Sequence, residues 1–169
     1  MTHSGLIVTS TLHLPPLLII EDSNEDFAAF QRFLPQSSLS IPIHRCADGD
    51  EALAFLYRTD RYAHPNNAPR PGMILLDLNL PGTDGREVLR QIKQDESLRL
   101  IPVVVFTTSN NPGDMEACYQ QGVNDYIIKP MDFTLLKRSV QTIIDYWFET
   151  TVLPLGAPEA AGLGSSSVA

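Results

Sequence analysis

Four short apolar runs in this chain each stop at a residue suited to phosphoryl chemistry. Leu17 to Ile20 stops at Glu21 and Asp22, and Met73 to Leu76 stops at Asp77. Val103 to Phe106 stops at Thr107, and Tyr126 to Ile128 at Lys129, which Pro130 follows. If these runs are parallel strands, their C-terminal ends open onto one crevice, where open α/β sheets bind ligands. Three carboxylates, a hydroxyl and an ammonium would then meet there.

A carboxylate closing a buried strand is costly to desolvate unless something uses it. Asp77 lacks a structural duty, because Pro81-Gly82 supplies the turn and Asp84-Gly85 the next helix start. With Glu21 and Asp22 near, each like-charge pair costs on the order of 4 kcal/mol at about 4 Å and an effective dielectric of about 20. Such a trio persists if a divalent cation sits in it. All-oxygen and carboxylate-rich, it suits Mg²⁺ or Mn²⁺ rather than zinc. Thr107 could be a plain β-branched strand residue, or its hydroxyl could donate to a group attached at Asp77. The Lys129-Pro130 junction could be ordinary trans loop. If cis, it would aim Lys129 back across the strand ends.

The elements that must position these residues alternate. Ser23 with Asp26, Asp48 with Glu51, and Asp84 with Glu87 read as capped helix starts. The apolar stripes that follow include Phe27, Phe30 and Phe33, then Ala52, Phe55 and Leu56, then Val88, Leu89 and Ile92. A weaker strand runs from Ile41 to Cys46, a short helix from Gly113 to Gln121 stops at Gly122, and a last helix runs from Asp132 to about Thr151. The order βαβαβαβαβα predicts a doubly wound α/β fold: a five-stranded parallel sheet with five helices in three αβα layers. Residues 1–14 read as a flexible N-terminal arm, 15–152 as the domain and 153–169 as a flexible tail. Arg58 to Pro71, with three prolines, reads as a long loop of functional or purely surface character.

Net charge is −8, which argues against a nucleic-acid surface, since phosphate binding needs clustered Lys and Arg. No run approaches the roughly 18 apolar residues of a membrane helix, so no membrane role is expected. Cys46 and Cys118 lie far apart in apolar patterns and read as reduced, buried thiols of a cytoplasmic protein.

Together these fragments resemble the receiver domain of two-component response regulators, over roughly Pro15 to Thr151. They fall in the family's order: Ile20-Glu21-Asp22-Ser23, Leu75 to Pro81 around Asp77, Phe106-Thr107-Thr108, and Tyr126 to Pro130. The resemblance implies a flavodoxin-like sheet and a phosphoryl group accepted on Asp77 from a sensor histidine kinase. It implies Mg²⁺ (or Mn²⁺) held by Asp22, Asp77 and the backbone carbonyl of Asn79, with Glu21 holding metal-bound water. Lys129 and Thr107 would bind phosphoryl oxygens, and Tyr126 would swing inward behind Thr107. Asn79 and Ser109 flank the acceptor, where they could tune the lifetime of the phosphoryl group. The protein would then be no enzyme beyond slow self-dephosphorylation, and its output would be altered contacts with a downstream protein.

The 58–71 loop, the Asp77 segment and the ending Tyr146-Trp147-Phe148 resemble regulators paired with cyanobacterial phytochrome kinases. The resemblance implies a homodimer through the last helix. On that helix, Phe133, Leu136, Val140, Ile143 and Trp147 read as core, while Ile144 and Phe148, with Tyr146 nearby, form a second apolar flank that could pair two subunits or lie buried beneath the tail. A rival reading, an aspartyl-nucleophile Mg²⁺-dependent phosphohydrolase, needs a second acid two residues beyond the nucleophile. That position is Asn79.

Overall fold

The computed structural model describes residues 14–34 and 40–154. Residues 1–13 of the expected arm and 155–169 of the expected tail therefore lie outside the described residues. The elements run β1 (Leu17–Ile20), α1 (Asn24–Phe33), β2 (Ile43–Cys46), α2 (Gly49–Tyr57), β3 (Met73–Leu76), α3 (Gly85–Gln94), β4 (Val103–Thr107), α4 (Pro112–Gln120), β5 (Asp125–Ile128) and α5 (Phe133–Ile144). All strand pairs are parallel, in the order β2-β1-β3-β4-β5. This is the doubly wound αβα sandwich that the alternating pattern predicts.

Burial explains why the strands read as unbroken apolar runs. Leu18, Ile20, Ile74, Leu76, Val103 and Val105 pack with residues of α2, α3 and α4, among them Phe55, Leu89 and Cys118. The alternate residues Leu17, Ile19, Met73, Leu75, Val104 and Phe106 pack on the other side with Phe30 and Phe33 of α1 and Val140 and Ile143 of α5. A strand covered on both faces has no polar side to alternate with. The helix starts are fixed locally. Ser23 Oγ accepts from Asp26 N at 3.1 Å, Asp48 Oδ1 from Glu51 N at 2.7 Å, and Asp132 Oδ1 from Leu135 N at 2.9 Å. Each such cap contributes about 1 kcal/mol. After α4 the chain turns at Gly122 with φ of +90°, a conformation that costs other residue types a Cβ clash.

The last helix departs from the sequence expectation. Beyond Ile144 it continues as a π-helical segment, Asp145–Thr150. Its i→i+5 winding breaks the 3.6-residue period on which the two flanks were separated. Ile144 (1% exposed), at the end of the regular helix, and Phe148 (7%), within the π-helical turn, belong to the core on the α1/α5 side and form no surface patch. Of the three expected dimer-contact residues only Tyr146 is exposed. Phe133, expected in the core, is 57% exposed at the start of α5, where its ring meets Phe33 edge-on at 4.6 Å.

The 58–71 loop is more built than its sequence suggests. It contains a 3₁₀ turn, Asp60–Tyr62, buries Ala68, and packs Tyr62 against the core. Tyr62 Oη donates to Glu51 Oε1 at 2.7 Å, and Arg61 pairs with the same carboxylate. Among the described residues no helix is long and apolar enough to cross a membrane.

Cys46 and Cys118 are both buried, and burial pushes the Cys46 thiol up to about 12 and raises that of Cys118. Iodoacetamide at about pH 8 should therefore leave both thiols unmodified in the folded protein and alkylate both once it is denatured. Intact-mass measurement decides this; rapid native modification would contradict the packing of either residue.

Candidate functional site

Strand register brings the reactive residues together. Ile20 pairs with Leu76, so Glu21 and Asp77 leave neighbouring strands at the same level. Leu76 pairs with Val105 on the other side, and Thr107 pairs with Ile128, the residue before Lys129. The chain turns to β2 on one side of β1 and to β4 on the far side of β3, so Glu21 and Asp77 stand at the topological switch point.

Four buried polar residues sit there: Glu21, Asp77, Thr107 and Lys129. Lys129 Nζ reaches Glu21 Oε2 at 2.6 Å, Asp77 Oδ2 at 2.8 Å and Asp26 Oδ2 at 2.8 Å, giving each ammonium proton a carboxylate. The other oxygen of Asp77, Oδ1, accepts from Thr107 Oγ1 at 2.8 Å and from Asn79 N at 3.1 Å. Asp77 is thus held at both oxygens from opposite sides. Burial pushes the Glu21 carboxyl above its ordinary range, even though Lys129 pulls the other way. For Lys129 burial works against the charge, but the hydrogen bonds to Asp26, Asp77 and Glu21 outweigh it and raise the pKa above the usual lysine value.

Carboxylate oxygens of Glu21, Asp22 and Asp77 all lie within 4.8 Å of one another, with Asp22 exposed to solvent. Nothing but oxygen is offered, and one side opens to water. That set fits a hard divalent cation with bound waters and does not fit a thiolate- or imidazole-seeking metal.

Tyr126 packs partly against the core, and its hydroxyl donates to Ser109 O at 3.0 Å. The ring already points inward, where an inward swing was expected. The Lys129–Pro130 bond is trans, since no cis peptide occurs among the described residues. No cis bond is needed to aim the lysine: Lys129 N donates to Thr107 O at 2.7 Å, which carries the β4–β5 pairing to the strand tip, and three carboxylates draw the ammonium inward.

Sequence reasoning missed Asp26, which read only as the acid of a helix start. Its one available signal was position: Asp26 lies in the first turn of α1, just after the strand-end acids Glu21 and Asp22, and so starts close to the strand tips. It also missed a cluster beside Thr107. Ser109 Oγ donates to Asp114 Oδ2 at 2.7 Å, and Asp114 receives both Nε and Nη2 of Arg86, at 2.9 and 2.6 Å.

A nucleophilic carboxylate, a cation-ready acid pair, a fixed ammonium and a hydroxyl donor around one point can stabilise an attacking oxygen and the oxygens of a transferring phosphoryl group. The family model for the response regulator receiver domain matches residues 17–141. Response regulator Rcp1 of a Synechocystis species is 45% identical over 142 residues, covering 83% of this chain and 95% of that protein. The Mn²⁺-bound form of Rcp1 superimposes with a TM-score of 0.79 at 44% identity, over 84% of this chain and all of that one. The phosphorylated cyanobacterial phytochrome response regulator RcpA gives 0.79 at 41% identity, over 83% of this chain and 99% of that one.

Proposed function

Because the chain belongs to the response regulator receiver family, we propose that Asp77 is its phosphoacceptor and that a phytochrome-type sensor histidine kinase is its donor. The observation that carries this reading is the convergence of Lys129 Nζ and Thr107 Oγ1 on opposite oxygens of Asp77, beside Glu21 and Asp22. A carboxylate oxygen of Asp77 forms the new O–P bond as the N–P bond of the phosphohistidine breaks, and the imidazole leaves. Asp22, Asp77 and the Asn79 backbone carbonyl would hold Mg²⁺ or Mn²⁺, with Glu21 reaching it through a water. When bound, the cation offsets the negative charge that nucleophile and phosphoryl oxygens bring together. Lys129 exchanges Asp77 for one phosphoryl oxygen, and the Thr107 hydroxyl donates to another. Asn79 and Ser109, flanking the acceptor, govern water access and so the slow self-dephosphorylation that resets the site.

The phytochrome link rests on likeness to RcpA, itself a phytochrome response regulator, and the cytoplasm is the compartment that suits such an exchange. Phosphotransfer tests both donor and metal. A phosphorylated phytochrome-type kinase should pass its label to this chain within seconds to minutes when Mg²⁺ is present, and EDTA should stop the transfer. Transfer that survives EDTA would remove the cation from the reading, and no transfer from any such kinase would remove the partner. The phosphohydrolase alternative is not favoured, because Asn79 cannot protonate a leaving group as an acid would.

We also propose a homodimer through the end of the last helix, now narrowed to Tyr146 and its surroundings. With Ile144 and Phe148 in the core, Tyr146 (50% exposed) and Val152 (97%) are the apolar residues left on that surface. Tyr146→Asp should convert a sedimenting dimer to monomer without lowering the melting temperature. A dimer of unchanged affinity would place the contact elsewhere.

A further inference from the structure

Hydrogen bonds, joined by the chain at Gly85-Arg86 and Asp77-Leu78, form a ring that leaves Asp77 and returns to it. Thr107 Oγ1 donates to Asp77 Oδ1 at 2.8 Å and accepts from Ser109 N at 3.3 Å. Ser109 Oγ donates to Asp114 Oδ2 on α4 at 2.7 Å. Asp114 is gripped by the fork of Arg86 on α3, Nε to Oδ1 at 2.9 Å and Nη2 to Oδ2 at 2.6 Å. Arg86 follows Gly85, whose N–H donates to Leu78 O at 3.0 Å, one residue past Asp77.

The return contact is rigid. A Cβ on Gly85 would lie 2.2 Å from Asp77 O and 2.6 Å from Leu78 Cα, so α3 is pressed against the acceptor segment as closely as a backbone allows. Arg86 therefore has a fixed origin, and Nη1 is tied further to Asp84 Oδ2 at 3.0 Å. The Arg86–Asp114 pair is partly sheltered, at 33% and 19% side-chain exposure, and two parallel N–H···O bonds fix its orientation as well as its distance. Its attachment to Ser109 leaves the β4–α4 loop little freedom. The Ser109 carbonyl accepts from Tyr126 Oη at 3.0 Å.

Resting on the reading of Asp77 as acceptor, we propose that Arg86 and Asp114 are positioning residues for phosphoryl uptake: their pair holds Ser109, and through it the Thr107 hydroxyl, on the acceptor carboxylate before a phosphoryl group arrives. A hydroxyl already in place costs no reordering when charge develops on the transferring oxygens. The Arg–Asp pair on its own would be a mere staple between α3 and α4. What separates the two roles is whether its effect passes through Thr107.

The test is a double-mutant cycle on phosphoryl uptake from acetyl phosphate with Mg²⁺, followed by intact mass, with melting temperatures alongside. Asp114→Ala should slow uptake about three- to tenfold, the worth of one hydrogen bond at the transition state. In a Thr107→Ala background the same change should add less than about 1.5-fold, because residues acting in series do not add. Ser109→Ala should slow uptake as Asp114→Ala does, and Ser109→Thr, which keeps the hydroxyl, should restore it. If Asp114→Ala fails to fold, Arg86→Gln enters the same cycle. Uptake at the parent rate, or a full effect persisting without the Thr107 hydroxyl, overturns the proposal. Labelling that survives Asp77→Asn would instead overturn the acceptor reading, so the two failures are distinct.

Discussion

Asp77→Asn is expected to take up no phosphoryl group, from acetyl phosphate or from phosphohistidine, while folding as the parent does. The amide has no anionic oxygen to attack phosphorus, and the other acids cannot replace it. Glu21 is buried against Lys129, Asp22 is exposed, and the Thr107 hydroxyl donates to Asp77. The fold should survive because the opposing electrostatic effects nearly cancel. The substitution removes one attraction to Lys129 at 2.8 Å and relieves repulsion from Glu21 and Asp22 within 4.8 Å. At an effective dielectric of about 20, the lost attraction is worth about 6 kcal/mol and the two relieved repulsions about 3.5 kcal/mol each, with opposite signs. Asn at this position still accepts from Thr107 Oγ1 and Asn79 N, and Lys129 keeps Glu21 and Asp26. Intact mass and a thermal melt on one preparation decide the matter: a mass gain of one phosphoryl group in the variant would move the acceptor elsewhere.

The acceptor and its neighbours were legible in the sequence for a physical reason. Strands buried on both faces show as continuous apolar runs, so their ends can be read to the residue, and the parallel topology forces those ends to one edge of the sheet. Glu21, Asp77, Thr107 and Lys129 all followed from that one rule. Asp26 did not, because its contact with Lys129 joins α1 to β5 across more than a hundred residues, and an acid in a first helical turn has a sufficient local explanation. Arg86 and Asp114 lie on separate helices whose facing is set only by packing. For Ile144 and Phe148 the apolar spacing leaves both burial and a subunit contact open, and only the packing of the last helix against the α1 side, with its wider winding after Ile144, decides for the core. Local pattern reads what local physics fixes; pairing between elements and a change of helical pitch lie beyond it.

Lys129→Met is expected to be the most destabilising single change at the site, and the one that divalent cation best repairs. The ammonium sits within 2.8 Å of three carboxylates, two of them buried, and removing one partner of a buried pair costs about 3–5 kcal/mol. The loss should be largest with EDTA present. With the ammonium gone, a divalent cation should sit more tightly beside Asp22 and Asp77 than in the parent, and one at about 100 times its dissociation constant should restore about 2.7 kcal/mol. The pH dependence has a definite sign. In the parent the folded-state pKa of Lys129 is raised, so its contribution is fully present below the unfolded lysine value of 10.5 and is lost only as pH rises through the higher folded value. Nothing is lost from that source across the neutral range. In the variant, Glu21 loses the ammonium that opposes the effect of burial, so its folded pKa climbs further above the unfolded 4.5. The folded state then binds the proton more tightly than the unfolded chain, and stability rises as pH falls through that folded value. Denaturant midpoints at about pH 7.5 and pH 5.5, each with EDTA and with Mg²⁺, test every part of this. A variant as stable as the parent in EDTA at the higher pH would mean that the three carboxylates do not depend on Lys129.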